Sequence, residues 1–435
     1  MNLFKFSLQL NGFPIKKASR TLKSIQKAIA LDCNTYIETK KQDIVNYHLK
    51  NNPFYRSFVN AENFTTWNEL PVMTKLDLQK PLNDRLSNGF SRKNIYLNKT
   101  SGSSGTPFLF AKDKFCHALI WANFIDRYKW FDLDVHTSKQ ARFYGIPLDK
   151  KGYYKERIKD RLSNRFRFSV FDLSDEQMEK NIALFKASSF DYINGYTSAI
   201  VQFAKYLQKR NIVLKTVCPT LKACIVTSEM LFDSDKSLLA TQFNIPIINE
   251  YGAAELGLIA FQNTHDQWVV NNEDLFVEIL DEHNNPLPHG EIGRIVITSL
   301  YNKAQPFIRY DLGDLGALSE SSTLEKPILK CLNGRTGDLV KLPSGKTAAG
   351  LTFYYVTKTI IEDKSTVKEF VIDQLELDTF KISYVSSSSL SEENIEAVKQ
   401  AITKYLEPNL RIIFEQQDQL NRSNRGKLKQ FTSHL

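Results

Sequence analysis

LKACIVTSEMLFDSDKSLLATQFNIPIINEYGAAE, residues 221–255, alternates between two kinds of segment. Leu221 to Thr227 reads as a buried-type strand with an apolar centre at Ala223 to Val226, and Ile245 to Asn249 as a second, shorter strand. Between them a helical segment ends near Phe243. Upstream, Ile193 to Ser198 leads into another helix, in which Ile200, Phe203, Ala204 and Leu207 recur on one face. Helix, strand, helix, strand at this spacing predicts a parallel α/β sheet, whose ligands collect at the carboxyl ends of the strands. Glu229 and Glu255 stand at those ends.

Working outward, Trp268 to Ile297 has the alternation of antiparallel β structure. Leu339 onward has the order of a small α+β domain, with strands near 368–372, 379–385 and 410–414 and a helix capped by Ser391. Residues 1–92 are mainly helical in pattern. The predicted architecture is therefore α/β: a large N-terminal domain over 1–334, with parallel sheet plus an antiparallel β part, and a small mobile α+β domain over 335–435.

Composition sets limits on the chemistry. Five dispersed cysteines (Cys33, Cys116, Cys218, Cys224 and Cys331) form no C-x-x-C pair and fit reduced thiols, as in the cytoplasm. No apolar run approaches the roughly 20 residues of a membrane span. A net charge of +9 suits a polyanionic partner, and part of it is crowded between Lys150 and Arg167. The aromatic-basic interleaving of a recognised nucleic-acid module is not seen, so no nucleic acid is expected. The Walker-type G-x-x-x-x-G-K-[ST], H-E-x-x-H and G-x-S-x-G patterns are absent, which weakens the common hydrolase, kinase and metalloprotease readings.

What remains is a set of polar pieces. Ser101-Gly102-Ser103-Ser104-Gly105-Thr106 follows a short strand at 94–97 and precedes a helix at 116–130, a place where backbone amides and hydroxyls can cradle phosphates. Glu255 can hold Mg²⁺, a hard cation satisfied by one or two carboxylates and substrate phosphates. Aspartates lie in apparent tight turns at Asp311 and Asp314, and a Gly-rich turn spans Asn333 to Asp338. A C-terminal lysine can neutralise charge growing on a phosphate.

Taken in order, these pieces resemble the adenylate-forming superfamily, in its phenylacetate-CoA ligase-like and capsular polysaccharide biosynthesis branch. The matching motifs are the Ser101–Thr106 loop, Tyr251-Gly252-Ala253-Ala254-Glu255, Gly290-Glu291-Ile292-Gly293, Tyr310-Asp311-Leu312-Gly313-Asp314, Gly334-Arg335-Thr336-Gly337-Asp338 and Gly426-Lys427. The resemblance implies an AMP-forming acid–thiol ligase using ATP, Mg²⁺ and either CoA or the phosphopantetheine of an acidic acyl carrier protein. Its substrate would be a small carboxylic acid, aromatic or fatty, and the protein a monomer or homodimer.

In that likeness Ser101 to Thr106 bind the β- and γ-phosphates, Tyr251 and Gly252 flank adenine and acyl group, and Glu255 holds Mg²⁺. Asp314 binds ribose, Arg335 lies by the nucleotide, and Lys427 bridges carboxylate and α-phosphate, with Lys429 as a rival. Tyr196, Thr197, Ser228 and Glu229, together with Ala253 and Ala254, line the substrate pocket. Two departures stand out: Thr106 replaces a lysine common in the ligases, and Gly337 an acidic hinge residue. Both fit the alternatives of a nucleotide-binding capsule factor without thioester formation, or AMP transfer to a non-thiol acceptor.

Overall fold

The computed structural model describes residues 8–60, 66–100, 108–146, 150–172, 174–335, 339–349, 361, 367–422 and 428–435. The chain divides into two compact units, Met1–Leu312 with Ala317–Cys331, and Gly313–Gly316 with Leu332–Leu435.

The N-terminal region is helical: α1 Ile15–Asn51, α2 Pro53–Val59 and α3 Leu82–Arg85. Helix α1 bends at Asp32, whose backbone leaves helical geometry. Its carboxylate accepts from Thr35 N (3.0 Å) and Thr35 Oγ1 (2.7 Å), so it recaps the second half of the helix. Next come β1 Ile95–Lys99, β2 Leu109–Asp113 and α4 Lys114–Tyr128. Asp113 caps α4, its Oδ1 accepting from the amides of Phe115 and Cys116.

The α/β part follows as β3 Gln140–Phe143, α5 Lys150–Leu162, β4 Arg165–Phe168, α6 Asp175–Ala187, β5 Tyr192–Tyr196 and α7 Thr197–Lys209. It continues through α8 Leu214–Val217, β6 Ala223–Thr227, α9 Asp233–Phe243 and β7 Ile247–Ala253. Strands β4, β3, β5, β6 and β7 pair in parallel, as the apolar runs predicted. One face packs Ile193, Cys224 and Val226 against Ile200, Phe203 and Leu207 of α7 and Phe243 of α9. The other packs Tyr192, Ile225 and Ile248 against Tyr128 of α4.

Beyond β7 the sheet turns antiparallel through β8 Gly257–Gln262 and β9 Trp268–Val270, with β10 Leu275–Leu280, β11 Gly293–Ser299, β12 Tyr310–Leu318 and β13 Ile328–Arg335 completing it. The order is β10-β11-β12-β13-β9-β8-β7-β6-β5-β3-β4. The second unit contains β14 Leu339–Lys341, β15 Thr347–Ala349, β16 Val367–Gln374, β17 Thr379–Ser386, α10 Glu392–Tyr405, β18 Arg411–Gln416 and β19 Phe431–Ser433. Its four-stranded sheet runs β18-β17-β16-β19, and Ser391 caps α10 by accepting from Asn394 N at 3.2 Å. Among the described residues no helix is long and apolar enough to cross a membrane.

Three local expectations are corrected. The first element after the Ser/Gly segment is a strand and not a helix: β1 and β2 pair antiparallel, from Ile95↔Asp113 to Lys99↔Leu109. Asp311 and Asp314 lie in strand β12, and Asn333, Gly334 and Arg335 in β13, not in turns. The basic run is partly consumed within the fold. Arg165 binds Asp160 at 2.5 Å, and Arg167 binds Asp160 at 3.0 Å and Glu156 at 2.9 Å, leaving Lys151, Lys155 and Arg161 among the exposed cations.

Candidate active site

The expected phosphate loop, Ser101 to Thr106, lies outside the described residues, but its two flanks are firmly held. Thr100 N donates to Phe108 O, and Phe108 N to Thr100 Oγ1, both at 3.1 Å. Strand β2 is then pinned from the far side of the chain. Ala111 N donates to Gln305 Oε1 at 2.9 Å, Asn302 Nδ2 donates to Ala111 O at 2.9 Å, and Arg85 Nη2 donates to Leu109 O at 2.8 Å. Asn302 is held in turn by His48, which is fully buried and donates through Nε2 to its carbonyl at 2.9 Å. Nδ1 must therefore accept, and Ser87 Oγ supplies the proton at 3.2 Å.

Burial pushes the His48 pKa down to about 4. An unfolded histidine titrates near pH 6.5, so the unfolded chain binds this proton first as the pH falls. The stability tied to neutral His48 is complete above about pH 6.5 and is lost as pH drops toward 4, a loss of about 2 kcal/mol between pH 7 and pH 5. His48→Gln keeps a donor for the Asn302 carbonyl but cannot titrate. It is expected to remove that share of the acid destabilisation, read as the difference in thermal midpoint between pH 7 and pH 5. An unchanged difference would show that His48 is not a buried neutral group.

Three neighbouring parallel strands bring the other expected residues together. Strand β5 ends on Tyr196 and hands over to Thr197, the buried first residue of α7. After β6, Ser228 adopts φ 72°, a conformation rare outside glycine, and re-aims the chain. Glu229 turns back onto α7: its Oε2 accepts from Ser198 N at 2.7 Å, and its carbonyl from Thr197 Oγ1 at 3.2 Å. A carboxylate on a helix N-terminus is a favourable use of its charge. Glu229 is therefore held as a cap on α7.

Strand β7 carries Tyr251, Gly252 and Ala253 within it, longer than the sequence suggested, and its register with β8 shifts between Tyr251 and Gly252. Gly252 is required there, since a Cβ would lie 2.7 Å from Gly257 O. The bulge turns Ala254 outward and Glu255 inward. Glu255 is only 5% exposed, and its Oε1 accepts from Tyr310 Oη at 3.1 Å.

Lys112, from β2, holds the same turn by donating from Nζ to Ala254 O at 2.9 Å. Burial pushes the Lys112 pKa down, opposed by Cys116, Glu255 and Asp274. Neither Lys112 nor Tyr310 was identified from the sequence as serving the site. The one available signal for Lys112 was a lysine set directly after the apolar Phe108–Ala111 run. In the second unit, Asp314 on β12 and Arg335 on β13 are brought together, with Arg335 Nε 3.0 Å from Asp314 Oδ1. Lys427, like the phosphate loop, lies outside the described residues.

Among the described residues no group of three or more His, Cys, Asp or Glu could hold a metal ion. Glu255 is a buried carboxylate with Tyr310 as its hydrogen-bond donor.

No family model matches the chain. It is 23% identical over 381 residues to protein CapK of Staphylococcus aureus, covering 84% of this chain and 81% of that one. It is also 24% identical over 183 residues to a phenylacetate-coenzyme A ligase of Pseudomonas putida, 41% of each chain. In fold it is similar to 2-hydroxyisobutyryl-CoA ligase in the postadenylation state in complex with R3-HIB-AMP, with a TM-score of 0.68 at 14% identity over 91% of this chain and 88% of that chain. In sequence the chain is thus similar to CapK and, over a shorter stretch, to phenylacetate-coenzyme A ligases, and in fold to an adenylate-forming CoA ligase.

Proposed function

We propose that this protein activates a small carboxylic acid with ATP, forming an acyl-adenylate and pyrophosphate, and passes the acyl group to the thiol of CoA or of a carrier protein's phosphopantetheine. The observation that carries this reading is Glu255: a buried carboxylate just past the carboxyl end of a parallel strand, fixed through Tyr310 and, along the backbone, through Lys112. Glu255 is the residue that would hold Mg²⁺, whose chemistry there is to offset phosphate charge.

In this reading the Ser101–Thr106 loop binds the β- and γ-phosphates, and Tyr251 and Gly252 flank the adenine. Thr197, Ser228, Ala253 and Ala254 border the acid. Asp314 takes the ribose hydroxyls beside Arg335, and the 335–435 region supplies Lys427 to the α-phosphate and the attacking carboxylate. The test is exchange of labelled pyrophosphate into ATP that depends on added acid.

A second reading keeps the nucleotide site but drops the thioester, as a nucleotide-binding assembly factor or an enzyme passing AMP to a non-thiol acceptor. It is favoured by Thr106 standing where the ligases often carry lysine, and by an alignment to CapK twice as long as that to the ligase. Acid-dependent exchange without consumption of CoA would select it.

A further inference from the structure

The acid cleft proposed above, beside Tyr196 and Thr227, would be bordered by polar side chains, where an aryl or fatty tail would want apolar walls. Four side chains supply that border. Arg142 comes from β3, Tyr144 from the residues after it, Glu250 from β7, and Tyr128 from the end of α4. They form one cluster: the Arg142 guanidinium lies 4.2 Å from the Tyr144 ring centre, the Tyr144 ring 4.6 Å from that of Tyr196, and Tyr128 Oη donates to Glu250 Oε2 at 3.2 Å. Glu250 is hydrogen-bonded along the strand pairing to the row that carries Thr227, a wall of the expected acid pocket.

Arg142 is under-used by the fold. Among the described residues its side chain has no hydrogen-bond or ion-pair partner, and its Nε is buried without one. Glu250 is within electrostatic reach, yet the two do not close into a salt bridge. Arg142 is partly exposed and its guanidinium stacks on Tyr144, so its N–H donors stay open to a ligand. The nearby Arg165 is already committed to Asp160 at 2.5 Å, so it adds positive field without competing for a ligand. Glu250 and Tyr144 are each partly exposed. Burial pushes the Glu250 pKa up to about 7, so near neutrality it can either donate or accept.

We propose that this cleft selects a short carboxylic acid whose far end carries a second oxygen function, a hydroxyl or a second carboxylate, with Arg142 donating to that oxygen and Glu250 and Tyr144 completing the hydrogen-bond set. The proposal rests on the reading of this cleft as the acid site. It narrows the substrate class away from the aromatic and fatty acids that the family likeness implies. An acid with an apolar tail would strip water from Arg142 and Glu250 and return nothing, and sites built around polar partners reject analogues that lack them.

Calorimetric titration of the full chain without ATP decides it, using succinate, 4-hydroxybutyrate, butyrate and phenylacetate. The expected result is that succinate or 4-hydroxybutyrate binds at least about tenfold tighter than butyrate and phenylacetate. Arg142→Leu should abolish that preference while leaving ATP binding within about twofold, since ATP makes no use of that border. Glu250→Gln, close in shape, checks the arrangement independently: removing a potential negative charge should shift the preference toward succinate over 4-hydroxybutyrate.

Equal binding of butyrate or phenylacetate, no binding of any of the four, or a preference that survives Arg142→Leu would overturn the proposal. If a polar acid binds through Arg142 but supports no pyrophosphate exchange, the cleft assignment stands and the adenylation reading fails. If exchange is seen with aryl or fatty acids only, adenylation stands and this inference fails.

Discussion

Glu255→Gln is expected to lower acid-dependent pyrophosphate exchange by roughly 10²-fold or more while leaving the protein folded. The argument is one of shape against charge. Glu255 sits just past a strand whose register is broken at Gly252, and it accepts a hydrogen bond from Tyr310 at 3.1 Å. Glutamine preserves the volume and can still accept from that hydroxyl, so the packing of a residue that is 5% exposed survives. The negative charge that would face a metal–polyphosphate is what disappears. Thermal unfolding within a few degrees of wild type, with exchange lost, would assign the carboxylate to chemistry. Exchange at the wild-type rate would remove Glu255 from the site.

Lys427→Ala is expected to reduce exchange by roughly 10²- to 10³-fold, the usual cost of removing a group that stabilises transition-state charge in acyl transfer. Its flank explains why the fold should tolerate the change. Leu428 is 4% exposed, Gln430 O accepts from Ile372 N at 2.9 Å, and β19 runs parallel to β16 from Ile372↔Phe431 onward. These contacts anchor the chain just after position 427 without help from the lysine. Lys429 is exposed, and Lys429→Ala serves as the internal comparison, with expected exchange within about twofold of wild type. If Lys429→Ala were the inactive variant instead, the catalytic assignment would move by two residues.

The parallel sheet was legible because its strands are buried on both faces and its helices on one, which writes short apolar runs and a 3.6-residue period directly into residues 193–249. The pairing of β1 with β2 was not. Leu109 to Asp113 is short, and its pairing with β1 and its support by Asn302 and Gln305 come from distant parts of the chain.

Strands β12 and β13 were read as turns because Asp, Asn and Gly favour turns when nothing else competes. Here Gly313 and Gly334 do take positive φ, 81° and 94°, but inside strands, where ladder pairing overrides local preference. The site shows the same division. Tyr251 to Glu255 was recognisable as a motif, whereas Tyr310, 55 residues away, became visible as the partner of Glu255 only once the chain was folded. Arg142 was equally hidden, since an arginine in a strand says nothing of its partners until the neighbouring strands are in place.

The central claim is that the chain joins a carboxylic acid to AMP. Its most direct test is exchange of labelled pyrophosphate into ATP by the wild-type protein across a panel of acids that includes succinate, 4-hydroxybutyrate, butyrate and phenylacetate, with no thiol present. The account predicts label in ATP with at least one acid and none when acid is omitted. Nucleotide binding without acid-dependent exchange for any acid on the panel would contradict it.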